Sequence, residues 1–198
     1  MKIILVGASG VIGKRVADEL GKRHEIIAVS RNSEPTVDIT SSDSIENMYQ
    51  QLGAFDAMIC CAGSAYFGSF EDMTEEDFYT GIRSKMMGQI NLVMIGRKYI
   101  NPGGSFTLTS GILADEAVKN ATGLSVVNGA LNSFVMAAAT ELTHGVRLNV
   151  ICPSVVEDSR ETYGPYFQGF EPVPMHLVTR GYERSVEGVI TGRVIKIY

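Results

Sequence analysis

The chain has 198 residues, 45% hydrophobic and 20% charged, and a formal net charge of −5. A chain of this length builds one sizeable core, so residues 1–198 are expected to form a single domain of soluble, globular composition. The acidic balance gives no reason to expect nucleic acid or an anionic membrane surface as a partner.

Cys60, Cys61 and Cys152 cannot all pair with one another, and the first two are adjacent in an apolar run. That usage fits reduced, buried thiols and a cytoplasmic location rather than a disulfide framework. No metal-ligand spacing links these cysteines to His24, His144 or His176. The apolar run that follows Met1 is too short for a signal-peptide core or a membrane span.

Taken in chain order, Lys2–Val6 is a short apolar run suited to a strand buried on both faces. Val11, Ile12, Val16 and Leu20 follow at helical spacing, and Glu25–Ser30 is the next strand. Thr36–Ile39 is expected as a short third strand. Asp43 with Glu46 opens a helix to about Leu52, and Ala57–Cys61 is a fourth strand. Thr74, followed by Glu75, Glu76 and Asp77, opens one long helix reaching to about Tyr99, which "NPGG" (Asn101–Gly104) breaks. Ser105–Ser110 is a fifth strand, a helix covers Leu124–Thr143, and Arg147–Cys152 is a sixth strand. Ser154–Pro174 is read as irregular. A last helix near His176–Glu187 leads to Arg193–Ile197.

Strands that alternate with helices imply parallel pairing through right-handed crossovers. The expected fold is therefore α/β: a Rossmann-type doubly wound parallel sheet of about seven strands with helices on both faces. Ligands in such sheets sit outside the carboxyl ends of the strands. That places Gly7–Gly13, Ser30–Asn32, Ala62–Gly63, Ser110 and Pro153–Val156 along one rim.

"VGASGVIG" holds Gly7, Gly10 and Gly13 between the first strand and the first helix. A turn without side chains lets backbone N–H groups approach a pyrophosphate, and the helix N-terminus adds its positive end. The alternative is a tight turn with no ligand. Ser30-Arg31-Asn32 follows the second strand, where an NAD-binding fold usually has an acidic residue for the ribose 2′-hydroxyl. None is present. Arg31 is placed to meet a 2′-phosphate, with Ser9 adding a hydroxyl, so NADP (NADPH) is expected over NAD. Otherwise Arg31 is a solvated surface arginine.

Taken together and in order, several segments make the chain resemble the short-chain dehydrogenase/reductase superfamily over nearly its whole length. They are "GASGVIG", "VDIT" (Val37–Thr40), "CCAG" (Cys60–Gly63), "TLTS" ending in Ser110, "RLNVICPSVVED" and "TGRVIKI". The resemblance implies a cofactor-contacting set of Gly7, Ser9, Gly10, Val11, Ile12, Gly13, Ser30, Arg31, Asn32, Asp38, Ile39, Cys61, Ala62, Gly63, Pro153 and Val156, with Asp38 at the adenine.

The family's catalytic set is Asn, Ser, Tyr and Lys. Here Ser110 stands at the serine, but "GLSVVNGALNSF" (Gly123–Phe134) puts Leu124 at the tyrosine and Asn128 at the lysine. Leucine donates no proton and asparagine carries no charge. "SKMMGQINL" (Ser84–Leu92) puts Lys85 at the family's asparagine. On that alignment Lys85 and Asn128 have exchanged places, keeping one ammonium and one amide near the nicotinamide ribose; otherwise Lys85 is an ordinary solvated lysine. Ser110, Lys85 and Asn128 are the expected catalytic set. Lys85 with a pKa lowered by burial, Tyr66, Tyr163, Tyr166, His176, Glu157 and Asp158 are the alternatives for a missing acid.

"YGPYFQGFEPVP" (Tyr163–Pro174) falls at the family's substrate loop. Its aromatics suit a lid over a small apolar substrate, or a packed surface loop or subunit contact. The stretch Met86–Ile95 is apolar over more than one helix face. By resemblance it is a homodimer or homotetramer surface; alternatively it is core. Two functions remain: an NADP-dependent oxidoreductase with a departed active site acting on a small carbonyl or hydroxyl substrate, or an inactive NADP(H)-binding sensor or regulatory partner.

Overall fold

A computed structural model describes residues 1–198. In chain order the elements are β1 (Lys2–Val6), α1 (Val11–Leu20), β2 (Glu25–Val29), α2 (Ser42–Leu52), β3 (Phe55–Cys60) and α3 (Glu75–Gly81). A π-helical turn (Ile82–Met87), α4 (Gly88–Gly96), β4 (Ile100–Thr109), α5 (Thr122–Ala138) and β5 (Arg147–Pro153) follow. The chain closes with α6 (Arg160–Tyr163), α7 (Met175–Glu187) and β6 (Val194–Ile197).

The strands form one sheet in the order β2-β1-β3-β4-β5-β6, and every neighbouring pair is parallel. Because successive strand side chains point to opposite faces, each apolar run feeds two cores. Ile4, Val6, Met58 and Leu108 pack with α2, α4 and α5 residues such as Tyr49, Leu92 and Leu131. Ile3, Leu5, Ile59 and Ile151 face α1 and α7 through Val16, Leu20, Val178 and Tyr182. The sheet is a Rossmann-type α/β arrangement with helices on both faces. Strand order reverses between β1 and β3, the switch point at which such sheets open a crevice.

Six strands form rather than about seven. Thr36–Ile39, expected as a strand, makes a single bridge between Ser30 and Thr36. Val37 and Ile39 are buried as a strand pattern would have them. Yet Asp38 turns its carboxylate to Thr40, accepting from the backbone N–H at 2.9 Å and the hydroxyl at 2.8 Å. Ser41 then caps α2 by accepting from the Ser44 N–H at 3.2 Å. The segment bends into the helix before a ladder can extend.

The expected long helix from Thr74 to Tyr99 is also interrupted. Its start is as read: the Thr74 hydroxyl accepts from the Asp77 N–H, and the Asp77 carboxylate accepts from the Thr74 N–H at 2.8 Å. The π-helical turn then separates α3 from α4. Glycines bracket it, and both are close approaches. A Cβ at Gly81 would lie 2.9 Å from the Ala65 Cβ, and one at Gly88 would lie 3.0 Å from the Ile39 Cδ1. Single π turns inside α-helices recur at functional sites, and this one carries Lys85.

Ser154–Pro174, read as irregular, contains α6 and short 3₁₀ turns and is pinned at its base. Val156 bridges Val173, and the Val173 N–H donates to the Val155 carbonyl at 2.9 Å. Asp158 ties this flap to α1 by an ion pair with Arg15 at 3.0 Å. No helix is long and apolar enough to cross a membrane.

Candidate active site

The carboxyl ends of β1, β2 and β3 open a cleft of ≈ 390 Å³ lined by Val6, Gly7, Ser9, Ser30, Arg31, Asn32, Val37, Asp38, Ile39, Thr40, Ala62, Gly63, Ser64 and Ser84. Its glycine turn follows from sterics. Gly7 sits at φ +88°, a conformation costly for any side chain. A Cβ at Gly13 would fall on the Gly7 carbonyl, so only glycine lets α1 begin this close to the turn. Gly10 is the N-cap of α1 and brings no side-chain cap, and no acidic residue occupies the first turn. The first N–H groups of the helix are left for an anion.

Across the cleft, the Ser30 hydroxyl accepts from the Asn32 N–H at 3.1 Å and the Ser33 hydroxyl from the Ser30 N–H at 2.7 Å, shaping the turn that holds Arg31. The Thr40 N–H and hydroxyl hold the Asp38 carboxyl below its ordinary range, with Arg31 adding a smaller effect. The polar end thus carries a guanidinium and a fixed carboxylate.

A second cleft, ≈ 400 Å³ and largely apolar, adjoins the first at Gly63 and Ser64. Ala65, Phe67, Leu113, Leu124, Tyr163 and Phe167 complete its walls. Two of the flap aromatics therefore line it, and the other two brace its walls. Tyr166 meets Phe67 edge-on at 4.8 Å between centroids, and Phe170 meets Phe167 at 5.5 Å. Leu124 faces this cleft from the first turn of α5.

Gly63, at φ +121°, joins the two clefts. A Cβ there would lie 2.7 Å from the Lys85 Cα, so the loop after β3 presses directly on the π-helical turn. Ser84 lines the first cleft and accepts from the Ser64 N–H at 3.1 Å. Lys85 keeps some surface accessible. Burial lowers its pKa, opposed by the neighbouring Cys60, Cys152 and Cys61. Burial pushes the Cys60 thiol up to about 12 and the Cys61 thiol to about 11, so both stay protonated and poorly nucleophilic.

Ser110 is buried at the end of β4 and donates its hydroxyl to the Asn132 Oδ1 at 2.7 Å. Asn128, one turn before Asn132 on α5, is 2% exposed, and its Oδ1 has no hydrogen-bond partner. The buried Ser154 hydroxyl is likewise unpartnered. Gln89 clamps Thr109 in front of Ser110, donating to its carbonyl and accepting from its N–H, both at 2.9 Å. Beneath the floor, Thr109 donates its hydroxyl to the Cys60 carbonyl at 2.6 Å. With that proton spent, the Tyr182 hydroxyl donates to Thr109 across 2.6 Å.

Of the expected cofactor set, Gly7, Ser9, Ser30, Arg31, Asn32, Asp38, Ile39, Ala62 and Gly63 line the first cleft. Gly10, Ile12 and Gly13 form the turn and the start of α1, and Val11 opens onto a shallow depression with Lys14, Arg15, Asp18 and Asp158. Cys61 turns its thiol to Tyr182 at 3.5 Å, away from the cleft. Val156 packs into the α1/α7 core, and Pro153 ends β5 beside Gly111. Among the alternative acids only Tyr163 reaches the apolar cleft. Tyr166 packs on Phe67, Tyr66 folds back on Gly68, His176 and Glu157 are exposed, and Asp158 is paired with Arg15. Asn132, Ser64, Ser84, Phe67 and Leu113 escaped the sequence reading. Asn132 had a signal: it lies four residues beyond Asn128, a second amide on the same face of an apolar helix.

Residues 7–171 match the family model described as enoyl-(acyl carrier protein) reductase. The oxidoreductase UcpA of Escherichia coli (strain K12) is 26% identical over 159 residues, 78% of this chain and 59% of that protein. The chain spans between 39% and 59% of the length of the first curated relatives it matches. The crystal structure of the protein lin1944 from Listeria innocua superposes with a TM-score of 0.98 at 43% identity, covering 100% of both chains. A small-chain dehydrogenase in complex with NADPH superposes with a TM-score of 0.88 at 25% identity, covering 100% of this chain and 96% of that one. With the glycine turn, the parallel sheet and a family match over most of its length, the chain belongs to the short-chain dehydrogenase/reductase superfamily of oxidoreductases.

Proposed function

We propose that the protein is an oxidoreductase that takes NADP(H) in preference to NAD(H) and acts on a small, largely apolar carbonyl or hydroxyl compound. One observation carries this reading: a polar cleft with an anion-ready helix start and a guanidinium meets an apolar cleft at Gly63–Ser64. The NADPH complex of the small-chain dehydrogenase supports the cofactor choice.

The residues fit a dinucleotide. The turn at Gly7–Gly13 is a cradle that a Cβ would fill, and the buried Asn128 Oδ1 and Ser154 hydroxyl lack partners that sugar or amide groups would provide. Gly7, Ser9, Gly10, Val11, Ile12 and Gly13 would hold the pyrophosphate. Ser30, Arg31 and Asn32 would hold the 2′-phosphate, and Asp38 and Ile39 the adenine. Cys61, Ala62 and Gly63 would form the floor through their backbone, with Pro153 and Val156 at the nicotinamide end. When bound, the cofactor supplies a hydride donor or acceptor at the junction of the clefts. Lys85, whose stem packs against Gly63, would bring an ammonium to the nicotinamide ribose and Asn128 an amide from α5, the reverse of the family's placement. Ser110 sits at the end of β4 as the family serine does.

Exposed Met94, Val126 and Met136 and the groove between Phe134 and Met94 support a homodimer or homotetramer through α4 and α5. Light scattering tests the assembly. The free cysteines fit the cytoplasm.

Titrating NADPH and NADH by nucleotide fluorescence tests the cofactor assignment, and tighter NADH binding overturns it. Screening NADPH oxidation over carbonyls and quinones, with Ser110→Ala and Lys85→Ala alongside the wild type, tests catalysis. A second reading, an NADP(H)-binding protein without turnover, is favoured by Leu124 at the acid's place and by the engagement of Ser110 with Asn132. NADPH binding without turnover of any acceptor selects it.

A further inference from the structure

Reducing an isolated ketone concentrates a full negative charge on one oxygen in the transition state. That charge needs an acid or aimed donors, and burying it unpaired in apolar surroundings costs several kcal/mol. The apolar cleft offers little of either. No carboxylate, imidazole or ammonium lines it, and its one phenol, Tyr163, is 49% exposed on the flap rather than fixed inside. Leu124 occupies the place of the acid. Ser110 spends its hydroxyl proton on Asn132, and Lys85, half-buried beside three thiols, is not part of the lining. What the cleft does offer is rings: Phe67, Tyr163 and Phe167 in its walls, with Tyr166 and Phe170 bracing them edge-on. Such walls favour a flat, conjugated guest.

We propose that the acceptor reduced in this cleft is a planar quinone-type ring, a substrate class that needs no protein acid. The inference rests on the oxidoreductase reading above. The acceptor takes two electrons and one proton together, as hydride, from the reduced nicotinamide dinucleotide. A C–H bond of the reduced dinucleotide breaks, an O–H bond forms on one quinone oxygen, and the displaced electron pair leaves the other oxygen as the conjugated anion of a quinol. The charge is spread over the other oxygen and the ring, so the anion has about the basicity of a phenolate, near 10 on the pKa scale. Water at the open mouth of the cleft then supplies the second proton. The balance is quinone plus NADPH plus one proton giving quinol plus NADP⁺. Leu124 contributes by filling the acid's place with apolar surface against the ring, and Phe67 and Phe167 by holding it flat.

The test uses the full chain with menadione, a naphthoquinone, against 2-decalone, a saturated bicyclic ketone of similar size. Menadione is expected to give a kcat/KM at least ~100-fold above decalone once the uncatalysed rate is subtracted, the span a general acid typically supplies. Single-turnover NADPH oxidation at saturating menadione is expected to show a solvent isotope effect near unity. Calorimetry on the NADP⁺ complex gives a readout independent of turnover: menadione binds, and Phe167→Ala weakens it about tenfold. Decalone turned over as well as menadione overturns the inference and leaves the oxidoreductase reading standing. A solvent isotope effect above ~2 on menadione reduction places a proton in flight and overturns it too. NADPH bound with menadione not reduced overturns the inference, and absence of turnover across the wider acceptor screen overturns the oxidoreductase reading with it.

Discussion

The Ser110 hydroxyl donates to the Asn132 Oδ1 at 2.7 Å, joining the end of β4 to the third turn of α5. Both residues are buried, so neither finds water if the other is removed. A buried polar group left without its partner costs about 1–3 kcal/mol. Asn132→Ala should therefore lower the melting temperature by about 2–4 °C per kcal/mol lost, the scale for a chain of this size. Ser110→Ala should do the same. The double variant should lose less than the sum, by roughly 0.5–3 kcal/mol in a thermal or urea double-mutant cycle. Strict additivity would mean that the two side chains do not depend on each other.

Lys85 gives a pH-dependent signature. Burial lowers its pKa below the ordinary value of 10.5. The folded state then holds the proton less well than the unfolded state, so the group costs stability wherever it is charged in both. That cost is full below the folded pKa and is relieved as pH rises through it toward 10.5. Lys85→Met keeps the stem and removes the charge. It should raise stability by on the order of 1 kcal/mol near neutral pH, an advantage that shrinks as the pH approaches 10.5. The same variant should weaken NADPH binding, which separates a functional ammonium from a structural one. Melting curves and nucleotide titrations at pH 7 and pH 10 read both effects. A variant less stable at neutral pH would show that the ammonium is well compensated.

Arg31 is exposed and lies on the same cleft as Asp38. A charge-assisted hydrogen bond to phosphate is worth about 1.5–3 kcal/mol. Arg31→Ala should therefore weaken NADPH binding by roughly 10- to 150-fold and leave NADH binding within about twofold, because NADH has no 2′-phosphate. Paired fluorescence titrations check this. Equal losses for the two nucleotides would assign Arg31 to the shape of the turn.

How far the site was legible follows from what each signal depends on. The strands and the glycine turn could be read because periodicity and local sterics fix them. The one failed strand, Thr36–Ile39, had the right alternation but lost to the Asp38–Thr40 and Ser41–Ser44 bonds, a competition between side chain and ladder that propensity does not weigh. The π-helical turn left no periodic trace, since Gly81 and Gly88 matter only through Ala65 and Ile39, which come from other elements. The apolar cleft assembles Phe67, Leu113, Leu124 and Tyr163 from four separate segments. The flap was readable as an aromatic loop, but not which rings face inward.

The clearest engineering test follows from Leu124, which lines the apolar cleft, and Asn128, buried one turn later on α5 with its Oδ1 unpartnered. Leu124→Tyr alone supplies a phenol without a flanking cation on its own helix. If Lys85 already serves from the π-helical turn, this single change should give measurable reduction of 2-decalone. Adding Asn128→Lys alone would set two ammonium groups close together, so the pair should be less stable than either single variant. Adding Lys85→Asn as well restores the family's arrangement, and that triple variant should reduce decalone ~10²- to 10⁴-fold faster than the wild type. If the triple variant gains activity and Leu124→Tyr alone gains none, Lys85 and Asn128 have not exchanged roles. If Leu124→Tyr alone reaches the triple variant's rate, the ammonium of Lys85 is already where the chemistry uses it.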